Sequence, residues 1–446
     1  MESHQHIIII GGGVGGYTAA LEACHKGWQV TLIEKDKWGG TCLQRGCVPM
    51  KFLLEQVHNR REKDLSAWQQ EKEDLLLEQT YGLQYRLEKA QIHLIHGTGQ
   101  VVKAADEVVV EVAADDGSKQ TIAGDYLVLA TGAHTAVPEI FRPYQSRLWD
   151  VTDVLEAKTL PESMVIVGAG VSGVECAEYL ASLGVGVHLI ERAEQILPGW
   201  DTDVAEAVMD YLEEEMDICC YTGCNVMRID LIDQGYQLTL DAKAGAVTTV
   251  EGESILICTG KEGNISGMGL ETLGILDESC QKIPVNAQQQ TVNPRIYAVG
   301  DCTLQSMTAH GAAWEARQAV CHMTGGKTAP PHSVSAFLSL HPPACKAGMT
   351  KEEAEKKGLC VRTGTTPLYG NGKAAILQQT YGMIKIVADK TTGQILGFHM
   401  YGPFADELLS LGSFMIEQKS TVEQVKAMAF PHPTVGEYIQ EAIEKL

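Results

Sequence analysis

No apolar run in the chain reaches the length of a membrane span, and the first, Ile7 to Ile10, goes straight into glycines. Residues 1–6 carry no basic region, so no signal peptide is expected. Basic residues are in deficit, 35 against 57 acidic ones, for a formal charge of −22. That balance argues against nucleic acid or an anionic membrane surface as the main partner. Thirteen cysteines are scattered and odd in number, which is not a secreted disulfide framework. A soluble, cytoplasmic protein with mostly reduced thiols is expected. What is present suits that class: 446 residues, 45% apolar and 21% charged, enough for two to four domains with stable cores.

The stretch Gly39-Gly40-Thr41-Cys42-Leu43-Gln44-Arg45-Gly46-Cys47-Val48-Pro49-Met50-Lys51 stands out. Two cysteines this close can bridge if the turn brings their Cβ atoms to about 4 Å. Gly46 gives that turn freedom, and Pro49 fixes the chain beyond it. Half of a zinc site is a second reading, although no partner pair of suitable spacing follows. Two unrelated buried thiols are a third.

Ile7 to Ile10 reads as a buried strand that turns through Gly11-Gly12-Gly13-Val14-Gly15-Gly16 into a helix beginning near Tyr17. Gly11, Gly13 and Gly16 match the G-x-G-x-x-G fingerprint, where glycines admit a pyrophosphate and let helix and strand pack closely. Val30 to Ile33 is the next apolar run and ends in Glu34, placed to bond ribose hydroxyls. A lone glycine motif is equally an ordinary tight turn. Here it returns: Met164 to Val167 leads into Gly168, Gly170 and Gly173, then Val187 to Ile190 and Glu191. The same 23-residue interval separates Gly11 from Glu34 and Gly168 from Glu191. Two copies of one unit imply two dinucleotide sites.

Between the copies, residues 52–96 read as a charged helix hairpin packed on the first domain, with Leu75, Leu76, Gln79 and Leu83 on one side. Residues 97–125 alternate around Val108, Val110 and Val112, with a turn at Asp115-Asp116-Gly117, and read as a β-meander. Tyr126 to Gly132 is a buried strand, mirrored after the second copy by Ser254 to Gly260. Ile296 to Cys302 ends in Gly300-Asp301, where the acid can take sugar hydroxyls or cap the next helix. Residues 325–332 look like a boundary. Strands at 381–389 and 395–400 and helices near 404–418 and 421–428 follow, an α+β terminal domain. The chain closes with Phe430-Pro431-His432-Pro433-Thr434-Val435-Gly436-Glu437. His432 is held between prolines with Glu437 placed to orient its ring, or it is a surface histidine in a turn.

Together these motifs resemble the flavoprotein disulfide reductases, the class I pyridine nucleotide-disulfide oxidoreductases, and within them most the dihydrolipoamide dehydrogenases. Gly-Gly-Thr-Cys-x₄-Cys-x-Pro-x-Lys stands as Gly39 to Lys51, a Met-x-Ala-His turn as Met307 to His310, and His-Pro-Thr…Glu as His432 to Glu437. The resemblance implies an α/β fold with two Rossmann-like dinucleotide-binding domains, for FAD and NAD, and a C-terminal α+β dimerisation domain. The implied boundaries are 1–142 for FAD, 143–261 for NAD, 262–328 completing the FAD domain, and 329–446 for the interface. FAD would contact Gly11, Gly13, Gly16, Glu34, Gly40, Thr41, Lys51, Gly99, Thr131, Gly132, Asp301, Met307, Ala309 and His310. NAD would contact Gly168, Gly170, Gly173, Glu175, Glu191, Val226 and Gly260. Cys42 would be the interchange thiol, Cys47 the charge-transfer thiol, and His432 oriented by Glu437 the acid/base. Lys51 would sit by the flavin, paired with Glu175. The implied activity is dihydrolipoamide plus NAD⁺ to lipoamide plus NADH, in a homodimer acting on a lipoyl carrier protein. The alternative is an NAD(P)H-dependent reductase of another low-molecular-weight disulfide.

The chemistry of the residue types agrees. Thiol–disulfide exchange needs a proton carrier near neutral pH, as His432 would be, and a cation such as Lys51 tunes a thiolate. Glu191 favours a free 2′-hydroxyl over a 2′-phosphate, although Arg192 stands beside it. Several positions depart from the family pattern. Gln44-Arg45 puts a cation between the cysteines, where it lowers a thiol pKa or faces solvent. Met50 replaces Ser or Thr, and Phe430 a histidine that often precedes the acid/base. The last cysteine is Cys360, so the second redox pair of mercuric reductases and large thioredoxin reductases is not expected.

Overall fold

Every residue of the run Ile7 to Ile10 is buried because both faces of its strand, β1 (His6–Ile10), are covered. Ile8 and Ile10 join a core with Val101, Val108 and Val110, while Ile7 and Ile9 join a second with Ala19, Ala23, Leu83 and Leu87. That two-sided burial leaves no position for a polar residue, as in parallel sheets generally. The computed structural model describes residues 5–60, 64–242, 247–276, 280–330 and 335–446. Pro331 and His332 of the expected boundary lie outside them.

The chain forms two compact units, the first from Met1–Phe52, Asp64–Ala136 and Gly260–Pro331. From β1 the chain enters α1 (Val14–His25), β2 (Gln29–Glu34), α2 (Gly40–Arg45), α3 (Cys47–Asn59) and α4 (Leu65–Lys89). It continues through β3 (His93–His96), β4 (Thr98–Ala104), β5 (Val108–Ala113), β6 (Lys119–Gly124) and β7 (Tyr126–Leu129). A parallel five-stranded sheet runs in the order Ile296–Ala298, β7, β1, β2, β3. The expected meander forms as β4–β5–β6, with its turn closed by Gly117 N–H on Ala114 O at 3.0 Å, and it covers one face of the sheet. Helices α1, α4 and Ala309–Met323 cover the other.

Two local expectations change. Helix α1 starts at Val14, not near Tyr17, because Gly15 and Gly16 themselves form its first turn. On α4 the buried side chains are Trp68, Gln69, Lys72, Leu83 and Leu87. Gln79 is exposed and Leu75 and Leu76 are only half-buried, so the packed stripe lies to one side of the expected one.

The second unit comprises Leu53–Lys63, Val137–Thr259 and His332–Leu446. Its parallel sheet runs in the order Cys219–Tyr221, Gly186–Ile190, Ser163–Val167, Ser254–Ile257, beside a three-stranded antiparallel meander. The C-terminal part is a five-stranded antiparallel sheet under helices Ala405–Glu417, Val422–Lys426 and Glu437–Glu444. Its strands at 383–389 and 395–401 match the sequence reading, whereas Ser335–Leu338, Ala344–Gly348 and Val361–Pro367 are additional. Among the described residues no helix is long and apolar enough to cross a membrane.

Candidate active site

The glycine loop between β1 and α1 is a backbone cradle. Gly11 has φ +107°, and a Cβ there would stand 2.2 Å from Ala130 O. At Gly16 a Cβ would stand 1.7 Å from Gly11 O, so no side chain can replace that hydrogen. The cysteine-bearing segment packs directly on this loop. Gly39 N–H donates to Gly12 O at 2.9 Å, and a Cβ on Gly40, whose φ is +62°, would lie 2.7 Å from Gly13 Cα. Thr41 follows, exposed, in the first turn of α2.

Glu34 ends β2 buried, its carboxylate taking the N–H of Gly12 at 2.6 Å and of Asp36 at 2.8 Å. The second motif repeats this residue for residue: Glu191 takes Ala169 N–H and Ala193 N–H, both at 2.8 Å. Gly168 (φ +103°) is pressed against Cys258 O as Gly11 is against Ala130 O, and a Cβ on Gly173 would lie 1.9 Å from Gly168 O. Gly170 caps the helix Val171–Ser182, with open space around it. Glu175, buried on that helix, accepts Ser339 N–H at 2.9 Å. Val226 is half-buried on the strand Cys224–Ile232, and Gly260 (φ +129°) has open space where a side chain would go.

Cys42 lies on α2 and Cys47 opens α3, where the N-terminal end of a helix favours a thiolate. The Cys42 thiol is hydrogen-bonded to Cys47. That bond, burial and the charge on Cys47 push the Cys42 thiol far up, against the downward pull of Lys51. Cys42 is therefore the member of the pair that holds its proton. The unrelated-thiols reading does not survive this pairing. Among the described residues no group of three or more His, Cys, Asp or Glu is arranged to hold a metal ion.

Arg45 is 42% exposed, and its charge is shared with a carboxylate on its own side of the thiol pair. Its guanidinium hydrogen-bonds Asp36 Oδ2, holding that carboxyl below its usual range despite the opposing effect of burial. The reason is the short α2 helix, which carries Arg45 back towards the end of β2. Gln44 fixes the other side, donating to Trp38 O and to Thr80 Oγ1, each at 2.7 Å.

The remaining flavin-side residues can be tested for fit. Asp301 is half-buried, takes no side-chain hydrogen bond from any described residue, and desolvation pushes its carboxyl up against the pull of Lys261. Its turn is held by Gly300 N–H donating to buried Glu315 at 2.6 Å. Thr131 Oγ1 is buried without a hydrogen-bond partner, and Thr131 O accepts from Asn264 at 2.9 Å. Gly132 (φ +72°) follows. An unanswered buried hydroxyl and a half-buried carboxyl beside a glycine cradle suit a hydroxyl-rich dinucleotide, so these residues fit FAD. Met307 takes φ +52°, Ala309 begins the helix Ala309–Met323, and His310 is exposed with Nε2 3.3 Å from Thr308 Oγ1. Gly99 has a packing reason of its own, since a Cβ there would meet Ile10 Cδ1 at 3.1 Å.

In the second unit, His432 Nδ1 lies 2.9 Å from Glu437 Oε1, and Thr434 N–H holds Glu437 Oε2 at 2.9 Å. The Thr434 N–H and then the His432 ring keep the Glu437 carboxyl below its ordinary range. With the carboxylate on Nδ1, Nε2 is the nitrogen that this ring, 76% exposed, turns to other groups. Phe430 packs against the terminal core.

Sequence reasoning missed Asp36, Thr80 and Asn264, which brace Arg45, Gln44 and Thr131 across 9, 36 and 133 positions of chain. The comparisons with known proteins agree with this geometry. Residues 5–316 match the pyridine nucleotide-disulphide oxidoreductase model and 334–443 its dimerisation domain. Dihydrolipoyl dehydrogenase of Bacillus subtilis is 31% identical over 99% of this chain and 98% of its own. Dihydrolipoyl dehydrogenase of Haloferax volcanii is 31% identical over 98% and 95%. Among solved structures, LpdA from Mycobacterium tuberculosis superposes with a TM-score of 0.89 at 25% identity, covering 99% of both chains. The HOCl-induced flavoprotein disulfide reductase RclA from Escherichia coli gives 0.84 at 24%, again over 99% of both, a likeness of fold. The paired glycine cradles, the thiol pair and these matches make the chain a member of the pyridine nucleotide-disulphide oxidoreductases, a family that uses FAD and NAD(H).

Proposed function

We propose that the protein is a homodimeric dihydrolipoamide:NAD⁺ oxidoreductase working through Cys42 and Cys47. The observation that carries this is the Cys42–Cys47 hydrogen bond in the field of Lys51, on a segment seated against the first glycine cradle. From the disulfide form, a substrate thiolate attacks Cys42 Sγ, forming a mixed disulfide and releasing Cys47 as thiolate. The second substrate thiol then closes the lipoyl ring and releases Cys42, which takes a proton. Substrate loses two electrons and two protons: His432 Nε2 accepts the protons in turn, passes one to Cys42 Sγ and releases the other to solvent. FAD, when bound on Gly11, Gly13, Gly16, Glu34 and Asp301, supplies two-electron transfer between Cys47 and the nicotinamide.

Exposure of His432 supports the dimer, since an acid/base needs a substrate pocket around it and a partner's thiol pair would supply one. Glu191, fixed at its strand end, supports NAD over NADP. The lipoyl group is taken to arrive on a carrier protein, and the setting to be the cytoplasm. A steady-state comparison of dihydrolipoamide with NAD⁺ against glutathione disulfide with NADPH tests the reading. Preference for the first pair supports it, and preference for the second rejects it.

A further inference from the structure

The turn Ala130-Thr131-Gly132 after β7 is held at both ends. At the first, a Cβ on Gly11 would stand 2.2 Å from Ala130 O and one on Gly16 3.4 Å from Ala130 Cβ, so the turn lies against the first glycine cradle. At the second it meets Asn264, which follows the strand Lys261–Gly263, paired antiparallel with Ala133–Thr135. Asn264 makes three hydrogen bonds there. Its backbone N–H donates to Gly132 O at 2.9 Å, its Nδ2 donates to Thr131 O at 2.9 Å, and its Oδ1 accepts from His134 Nδ1 at 2.8 Å.

The side-chain amide fits only one way round. Turned over, it would set its oxygen against Thr131 O, two acceptors with no proton between them. With Nδ2 on Thr131 O, the Thr131–Gly132 peptide has one orientation. A trans peptide points its C=O and N–H in opposite directions, so the Gly132 N–H faces away from the Asn264 side chain. Among the described residues that N–H donates to no group. Gly132 holds φ +72°, where a side chain would be strained. An unspent backbone donor beside the cradle suits an acceptor-rich cofactor.

We infer that Asn264 is a positioning residue for FAD: its Nδ2 holds the Thr131–Gly132 peptide so that the Gly132 N–H is kept for the cofactor. Asn264 acts through this turn. The inference rests on FAD occupying the first cradle and is independent of which dithiol the protein oxidises.

The test is FAD affinity, measured by diluting the FAD-loaded protein and reading released flavin by its fluorescence. Asn264→Asp keeps the size of the side chain and the acceptor for His134, but puts a second acceptor at Thr131 O. It should weaken FAD binding by about tenfold near pH 8, the scale of one lost hydrogen bond. As the pH is lowered to about 5, the introduced carboxyl takes up a proton and regains a donor for Thr131 O. Binding should then recover in part, relative to the unmutated protein at the same pH. Asn264→Ala, with nothing to titrate, should bind FAD about threefold or more weakly at both pH values, with unchanged far-ultraviolet circular dichroism. FAD held by both variants as tightly as by the unmutated protein would overturn the inference. An Asn264→Asp loss equally deep at both pH values would do the same. Altered circular dichroism in Asn264→Ala would also overturn it, by making Asn264 a support of the fold alone. Should Asn264→Asp fail to fold, Asn264→Ala decides by itself: weaker binding in a folded chain supports the inference, and unchanged binding overturns it.

Discussion

Arg45 stands between the two redox cysteines in sequence, yet its guanidinium is hydrogen-bonded to Asp36, at the end of the first ribose-side strand. The charge thus ties α2 to the loop after Glu34 and is not offered to Cys42. Both side chains are 42% exposed, which sets a low ceiling on what the pair contributes. Replacing Arg45 by Ala should cost about 1 kcal/mol or less in urea unfolding. The pH dependence of Cys47 alkylation should stay within about half a unit, because a charge held by a partner carboxylate has little field left at the thiol. A shift of a full unit would show that Arg45 acts on the cysteines.

Gly40 meets a stricter limit. An alanine there would combine φ +62° with a Cβ 2.7 Å from Gly13 Cα, and the backbone at Gly13 cannot swing aside as a side chain would. Gly40→Ala should destabilise the protein by about 1–3 kcal/mol and lower the flavin retained per chain after purification. Full flavin content and unchanged melting would mean that the two loops yield freely.

His432→Ala should reduce turnover by at least about a hundredfold, the usual loss for a general acid/base. Glu437→Gln removes the carboxylate that accepts at Nδ1 and should lower turnover by less than His432→Ala does, since the ring itself stays. A loss below tenfold in His432→Ala would remove it from the relay.

Lys385 joins the terminal sheet to helix Thr202–Glu214, bonding Asp201 at 3.0 Å and Asp203 at 2.8 Å with its own side chain 7% exposed. Burial opposes its charge, but the two carboxylates prevail and raise it above its ordinary 10.5. Its contribution is present below that value and is lost as pH rises through the folded one. Burial lowers His341 and His399 below 6.5, so their contribution is lost as pH falls through that region. Melting temperature should peak between these limits, measured from pH 5 to 11. Lys385→Met, which strands Asp201 in the core, should cost about 3–5 kcal/mol.

Residues close in sequence carried most of what could be read in advance. The glycine cradles, the strand-end acids, the thiol pair and the His432–Glu437 pair each lie within a few turns of chain. Their local chemistry needs no knowledge of the rest. The Lys385–Asp201 pair spans 184 positions and leaves no local mark. Strand Val361–Pro367 is Val-Arg-Thr-Gly-Thr-Thr-Pro, without the apolar alternation that reveals a strand, and pairing with Met383–Asp389 creates it. Helix α4 misled because Leu75, Leu76 and Leu77 in a row define no single face. Tertiary contact with Leu83 and Leu87 selects the side that is buried.

Anaerobic two-electron reduction of the flavin-loaded protein, followed by absorbance, tests the central claim most directly. A long-wavelength thiolate-to-flavin band should appear on reduction of the unmutated protein, be present in Cys42→Ser before any reductant is added, and be absent from Cys47→Ser under both conditions. A band that never forms, or that survives loss of Cys47, would contradict the assignment of Cys42 and Cys47 as the redox pair.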